Sequence, residues 1–351
     1  MDKLTRTIEM IKPLDKEAIT KAQARQDILT KPQGSLGRLE ELSVQLAGIQ
    51  GKPIPQIKSK AIFTMAGDHG VVAEKIGNWP QEVTAQMVYN FLGGGAGINV
   101  IARQIDARVI VVDMGVATEL TPNPQLISRK IASGTKNMAL GPAMTAEQAI
   151  ESIETGIELV SEELTKGLDI LGTGDMGIGN TAASSAIFAA ITGRPVAEVT
   201  GRGTGLTDEQ LARKMSVINR ALKVNQPDST KPLDVLAKVG GFEIGGLAGV
   251  MLAAAANRIP VVIDGFISGA AALIATTLCP TLKDYLIAAH LSAEAGHRLL
   301  LEHLDLKPLL SLNMRLGEGT GAALGIFIAE SAARILAGMA TFNEAGVSEK
   351  E

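Results

Sequence analysis

The chain has 351 residues, 46% hydrophobic and 20% charged, enough to bury a large core in one big domain or in one domain with a smaller lobe. Its 33 basic and 37 acidic residues leave a net charge of −4, and no lysine or arginine run is dense enough to follow a phosphate backbone, so nucleic acid is excluded as a partner. The single cysteine, Cys279, excludes an internal disulfide and a thiolate metal cluster, and the N-terminus MDKLTRTIEMIKPLDKEAIT lacks a secretory apolar stretch, which points to the cytoplasm.

Residues 1–50 read as amphipathic helices with a turn at KPQGSLG (31–37). From Lys60 onward, short apolar runs end in Gly or Asp: AIFTMAGDHG (61–70), RVIVVDMG (108–115), LDILGTGDMG (168–177), IPVVIDG (259–265) and YLIAAH (285–290). Each precedes a longer helix-prone segment. This alternation predicts an α/β fold, a mostly parallel Rossmann-like sheet flanked by helices, with ligands at the carboxyl ends of the strands. The window VVIDGFISGAAALIATTLC (261–279) is apolar enough to raise a membrane span. Its Asp264-Gly265 turn and the bordering Pro260 and Pro280 predict a buried strand, a loop and a helix instead, so no span is expected. After about residue 300 the alternation stops, and residues 322–340 read as one helix packing back on the N-terminal helices. The expected division is a small helical domain from 1–55 plus 305–351 and a large α/β domain over 56–304.

Chemistry concentrates in the loops. Gly172-x-Gly174-x-x-Gly177 follows a strand and precedes a helix, as in a dinucleotide fingerprint. That fingerprint also requires an acidic residue closing the next strand, and Glu198, at about the right distance, precedes VTGRGTG instead. What survives is a glycine loop at a helix N-terminus, suited to a phosphate or carboxylate. A second cluster, GRGTG (201–205), leads into a helix carrying Lys214, and the two glycine-rich entries with one lysine suit a mononucleotide; tight turns and a solvated lysine are the plainer alternative. Asp68 and His69 close the first strand, and Trp79, Tyr89 and Phe91 follow in a chain only 3% aromatic. A flat heteroaromatic ligand would use such rings with Gln86 to orient it, although each aromatic alone also fits plain core. His290 and His297 lack the further ligands a metal would need. RLGEGTGAALG (315–325) sets Glu318 between glycines ahead of an apolar helix, either as a carboxylate favouring that helix's dipole or as a functional acid.

Taken together, KPQGSLGRLE, AGDHGVVAE, WPQEVTAQMV, GDMGIGNTAASSA, GRGTGL, GGFEIGGLAGVMLAAA, DGFISGAAALIA, HLSAEAGH and RLGEGTGAALG, in order from about residue 30 to residue 330, resemble the nicotinate-nucleotide:dimethylbenzimidazole phosphoribosyltransferase family of the cobalamin lower-ligand pathway. The resemblance implies a homodimer without cofactor or metal. Its substrates are nicotinate mononucleotide and a benzimidazole-type base, and its products α-ribazole 5′-phosphate and nicotinate. It implies Glu318 as the catalytic base with Asp175 beside it, nucleotide contacts at Gly174, Gly177, Gly179, Asn180, Thr181, Gly203, Lys214, Asp264 and Ser292, and base contacts at Asn78, Trp79, Gln86, Met314 and Leu316. Two positions depart from the family pattern. Asp175 stands where many members have glutamate, and Gly77-Asn78 precedes WPQEVT where serine is common.

The chemistry agrees with the residues. The bond from C1′ to the pyridinium nitrogen of nicotinate mononucleotide breaks without a proton being given to the leaving group. The attacking benzimidazole becomes cationic unless its second N–H is lost, so one general base is needed. No adjacent acidic pair closes any of the five strands, as handling a diphosphate would require. A family member preferring another base, a Rossmann-type NAD(P)-binding enzyme and a non-catalytic nucleotide sensor are the competing readings.

Overall fold

The computed structural model describes residues 2–203 and 205–348; Met1, Thr204 of the GRGTG cluster and residues 349–351, within the stretch expected to join the small helical domain, lie outside that description. Six strands, β1 (Lys60–Gly67), β2 (Ala107–Gly115), β3 (Leu126–Ser128), β4 (Ile170–Met176), β5 (Val261–Ile263) and β6 (Leu286–Ala288), form one sheet in the order β3-β2-β1-β4-β5-β6. Every neighbouring pair is parallel. The five expected runs are all strands. The edge strand β3 is only three residues long and leaves no alternating signature in the sequence.

Side chains of each strand alternate between two cores, so both faces are buried. Ala61, Phe63 and Met65 of β1, Val112 of β2 and Val261 of β5 point into one core; Ile62, Ala66, Val111 and Val262 point into the other. On the first face the helix Phe242–Ala256 is apolar all round and packs against Ala146–Leu164 at backbone contact. A Cβ on Gly249 would stand 1.9 Å from the Ile153 carbonyl oxygen, so only glycine fits. The helices Asn180–Thr192 and Phe266–Leu278 complete this layer.

The second face is covered by Thr320–Gly338, with Arg38–Gln50 and Gly97–Gln104 beside it. The buried ion pair Lys60 to Glu330, 2.8 Å, ties that long helix to the start of β1. Leu29 bridges to Thr341, and Arg25 donates to the carbonyl of Leu336 at 2.7 Å, so the chain end meets the helices after residue 15. The first helix, Lys3–Met10, lies apart from them, on Ala146–Leu164 and Phe242–Ala256 across the sheet.

The apolar window 261–279 resolves into β5, a turn at Asp264-Gly265 and a 13-residue helix. Thr320–Gly338 is the one helix among the described residues long and apolar enough to cross a membrane, and it packs on β1, β4 and β5.

Candidate active site

Strand order reverses across β1 and β4, the switch point at which open α/β sheets bind ligands. Two clefts open there, sharing Gly177, Ile178, Asn180, Thr181 and Gly203. The first, about 530 Å³, is walled by Val72, Ile76, Trp79 and Leu206 and reaches Lys214. The second, about 700 Å³, runs past Asp175, Met176, Ser292 and Glu294 to Arg315, Leu316 and Gly317.

Only the last of the fingerprint glycines belongs to the anion loop. Gly172 and Gly174 lie inside β4, and a Cβ on Gly174 would stand 2.3 Å from the carbonyl oxygen of Glu318. Gly174, expected among the nucleotide contacts, is therefore a close-approach position that lets the RLGEG backbone lie on the strand. The loop proper is Gly177–Gly179. Gly177 rests on Gly67, the N–H of Ile178 donates to Thr84 Oγ1 at 3.1 Å, and Gly179, at φ +98°, opens the helix Asn180–Thr192.

Glu318 has φ +64°, uncommon for a residue with a side chain and held by tertiary contacts. Its N–H donates to the carbonyl of Asp175 at 3.2 Å and its own carbonyl accepts from Thr64 Oγ1 at 2.9 Å. The carboxylate does not cap the helix that follows. That role belongs to Asp264, whose two oxygens accept from the N–H groups of Gly319 (3.2 Å) and Ala322 (3.1 Å). Asp264, expected at the nucleotide, is in this way turned toward the helix, and neither cleft has it in its wall. Glu318 instead reaches the start of another helix, Gly97–Gln104, where Oε2 accepts from the Ile98 N–H at 3.1 Å beneath the side chain of Leu316. Burial pushes the Glu318 carboxyl above the usual range; the Ile98 N–H opposes the rise and the charge of Asp264 adds to it.

Asp175 is pushed up to about 8, first by burial and then by the charges of Asp264, Glu243 and Glu318, against a 2.8 Å hydrogen bond from Asn180 Nδ2 to its Oδ2. It therefore carries a proton at neutral pH. Lys214 is buried with its Nζ donating to Thr181 Oγ1 (2.9 Å) and the Gly201 carbonyl (3.3 Å); burial brings it down to about 8, and Glu294 opposes that fall. Glu294 itself is raised by burial, with Lys214 and Arg315 opposing. Behind the glycine loop, burial disfavours charged His69, but Glu243, 2.7 Å from its Nε2, outweighs burial and leaves its pKa raised. His297, pulled down to about 3 by burial and then by His290, is neutral and accepts the Ser292 N–H on Nδ1.

Of the residues expected at the site, Gly177, Gly179, Asn180, Thr181, Gly203, Lys214, Asn78 and Trp79 line the first cleft, while Asp175, Ser292 and Leu316 line the second. Asn78 and Trp79 thus stand beside Lys214, where Asn78 Nδ2 donates to the Gly205 carbonyl (3.3 Å) and its Oδ1 accepts from Gln210 Nε2 (2.7 Å). Two expected base contacts are not brought to either cleft. Gln86 is exposed on the helix Glu82–Leu92, and Met314 contributes its backbone, its carbonyl accepting from Ser292 Oγ and the Ala293 N–H. Glu294, Arg315 and Thr84 were missed, although each lies inside a stretch that carried the resemblance.

A parallel doubly wound sheet with a glycine loop, a buried lysine and paired buried carboxylates at its switch point defines an α/β nucleotide-handling enzyme. A family model described as phosphoribosyltransferase matches residues 11–347, and the chain belongs to that phosphoribosyltransferase family. A protein of Dehalococcoides mccartyi (strain BAV1) named nicotinate-nucleotide–dimethylbenzimidazole phosphoribosyltransferase is 61% identical over 100% of both chains. One of the same name from Desulforudis audaxviator is 61% identical over 99% of each. Among solved structures, the enzyme of that name from Thermus thermophilus superposes with a TM-score of 0.91 at 47% identity, covering 96% of this chain and 100% of its own. A structure named CobT from the same organism gives 0.92 at 48%, covering 95% and 100%.

Proposed function

We propose that the enzyme transfers the 5-phosphoribosyl group of nicotinate mononucleotide to 5,6-dimethylbenzimidazole or a related base, giving α-ribazole 5′-phosphate and nicotinate, with Glu318 as general base. One observation carries this reading: two adjoining clefts, which share Gly177, Ile178, Asn180, Thr181 and Gly203, reach from the glycine loops and Lys214, which suit a phosphate, to Leu316 and Gly317, directly before a buried carboxylate.

In the reaction the C1′–N bond to the pyridinium breaks and its electron pair returns to the ring nitrogen, which becomes neutral as nicotinate departs with its carboxylate charge. A benzimidazole nitrogen bonds to C1′, and the proton on its other nitrogen passes to Glu318. Raised by burial, Glu318 is a stronger base than a solvated carboxylate; it lines neither cleft itself, but follows Leu316 and Gly317 of the second cleft's wall, with one oxygen held by the Ile98 N–H. Asp175, holding a proton, adds no negative charge against the phosphoribosyl group. We place the enzyme as a cytoplasmic homodimer on the family resemblance; exposed Val100 and Phe327, on the adjoining helices Gly97–Gln104 and Thr320–Gly338, support a pairing face.

Incubation with nicotinate mononucleotide and a mixture of benzimidazoles, purines and phenols, read by mass, tests the reading. The expected result is free nicotinate together with one dominant α-riboside phosphate. Binding of NAD(H) with no release of nicotinate would replace it with the oxidoreductase reading.

A further inference from the structure

Nicotinate mononucleotide is anionic at two ends, the phosphate and the ring carboxylate, and the proposed reaction accounts only for the first. The first cleft offers the phosphate Lys214 and the glycine loops. The second is lined by two acids, Asp175 and Glu294, and offers an incoming carboxylate no favourable partner unless a cation answers it. Among the described residues lining this cleft, Arg315 is the only lysine or arginine. Arg202, in the first cleft, is tied to the Leu206 carbonyl at 2.8 Å and to Asp208. Arg315 has no such partner among the described residues: it is exposed, and only its charge is felt by Glu294. His290, the other basic group in the wall, has Nε2 turned to Asp264 at 3.6 Å.

We propose, resting on the reading above, that Arg315 is the specificity-determining residue for the donor, pairing its guanidinium with the ring carboxylate of nicotinate mononucleotide and thereby selecting it over nicotinamide mononucleotide. The planar fork of arginine matches a carboxylate with two parallel N–H···O bonds, whereas a carboxamide offers a single acceptor and sets its own N–H donors against those of the guanidinium. Arg315 also lies three residues before Glu318 on one loop, so the group that holds the leaving ring and the proposed base move together.

The test compares kcat/KM for nicotinate mononucleotide and nicotinamide mononucleotide in the wild type, Arg315→Gln and Arg315→Lys at saturating dimethylbenzimidazole. Arg315→Gln is expected to raise KM for the nicotinate donor about 10- to 100-fold and to lower the selectivity ratio by a similar factor. Arg315→Lys, which keeps the charge without the fork, is expected to recover part of the ratio. An unchanged ratio in both variants overturns the assignment while leaving the transferase reading intact. Absence of nicotinate release by the wild type overturns the transferase reading and this inference with it.

Discussion

Glu318→Gln separates the proposed base from everything else its side chain does. Glutamine keeps the volume and offers one oxygen to the Ile98 N–H that now holds Oε2 at 3.1 Å, but its amide cannot take a proton from the acceptor. Loss of a general base lowers the chemical step by about 10² to 10⁴, or about 3 to 5 kcal/mol of barrier. Stability moves the other way. The folded-state pKa of Glu318 is raised by burial, so the native state binds its proton more tightly than the unfolded chain does. That stabilising effect is complete below the unfolded pKa and is lost as pH rises through the folded one, above which a buried charge remains that the Ile98 N–H offsets only in part. Glutamine removes that charge, and the variant is expected to melt at or above the wild-type temperature. The assay is single-turnover nicotinate release by rapid quench at saturating base, across pH. Wild-type rates should fall as pH drops through a pKa above the usual carboxylate range, and the variant should show no such limb. A variant within about threefold of wild type, or one that keeps the same acid limb, would refute the assignment.

Lys214→Met should raise KM for nicotinate mononucleotide about 10- to 100-fold with a smaller change in kcat. In the wild type kcat/KM should fall above pH about 8, where the free enzyme's buried ammonium loses its proton, and this limb should be absent from the methionine variant. Asp175→Asn keeps an oxygen for Asn180 and removes an acid whose folded pKa stands near 8; because a raised carboxyl pKa costs stability as pH climbs toward it, the variant's melting temperature should exceed wild type by more at pH 9 than at pH 6. Gly174→Ala places a methyl 2.3 Å from the Glu318 carbonyl oxygen, so it should destabilise by about 1 to 3 kcal/mol in denaturant unfolding and lower kcat through displacement of the RLGEG loop.

What could be read in advance follows the physics of each signal. Buried parallel strands are continuous apolar runs ended by glycine or aspartate, and the runs ending near Asp68, Asp113, Asp175, Asp264 and His290 are strands. The glycine loops were legible because a helix entry at Gly179 requires a positive φ. Side-chain direction was not legible. Gly174 sits in a motif that means loop elsewhere, yet here it is strand, because the approach of Glu318 from another part of the chain demands a missing Cβ. Asp264 was expected at the nucleotide and Glu318 read either as a carboxylate favouring the next helix or as a functional acid, and only tertiary placement shows that Asp264 caps the helix beginning at Thr320 while Glu318 meets the helix beginning at Gly97. Gln86 was chosen for its chemistry, and the face of its helix turns it to solvent.

Three carboxylates lie within one another's fields at this switch point, and their surroundings separate them. Asp264 receives two backbone N–H groups, from Gly319 and Ala322, and is committed to capping the helix that follows Gly319. Asp175 receives a single side-chain amide and stands near Asp264, Glu243 and Glu318, so it is driven to hold a proton. Glu318 is raised by burial and by Asp264 yet restrained by the N–H groups of Ile98 and Gly97. A base benefits from such opposed influences, since burial strengthens its hold on a proton while the N–H groups still favour the anion that must accept one. The ordering depends on the caps rather than on the acids themselves. Replacing Asp264 by asparagine should therefore lower the pKa of both Glu318 and Asp175, and the acid limb of the wild-type rate profile should move to lower pH even though neither group was altered; a limb that stays in place would show that burial alone sets the base.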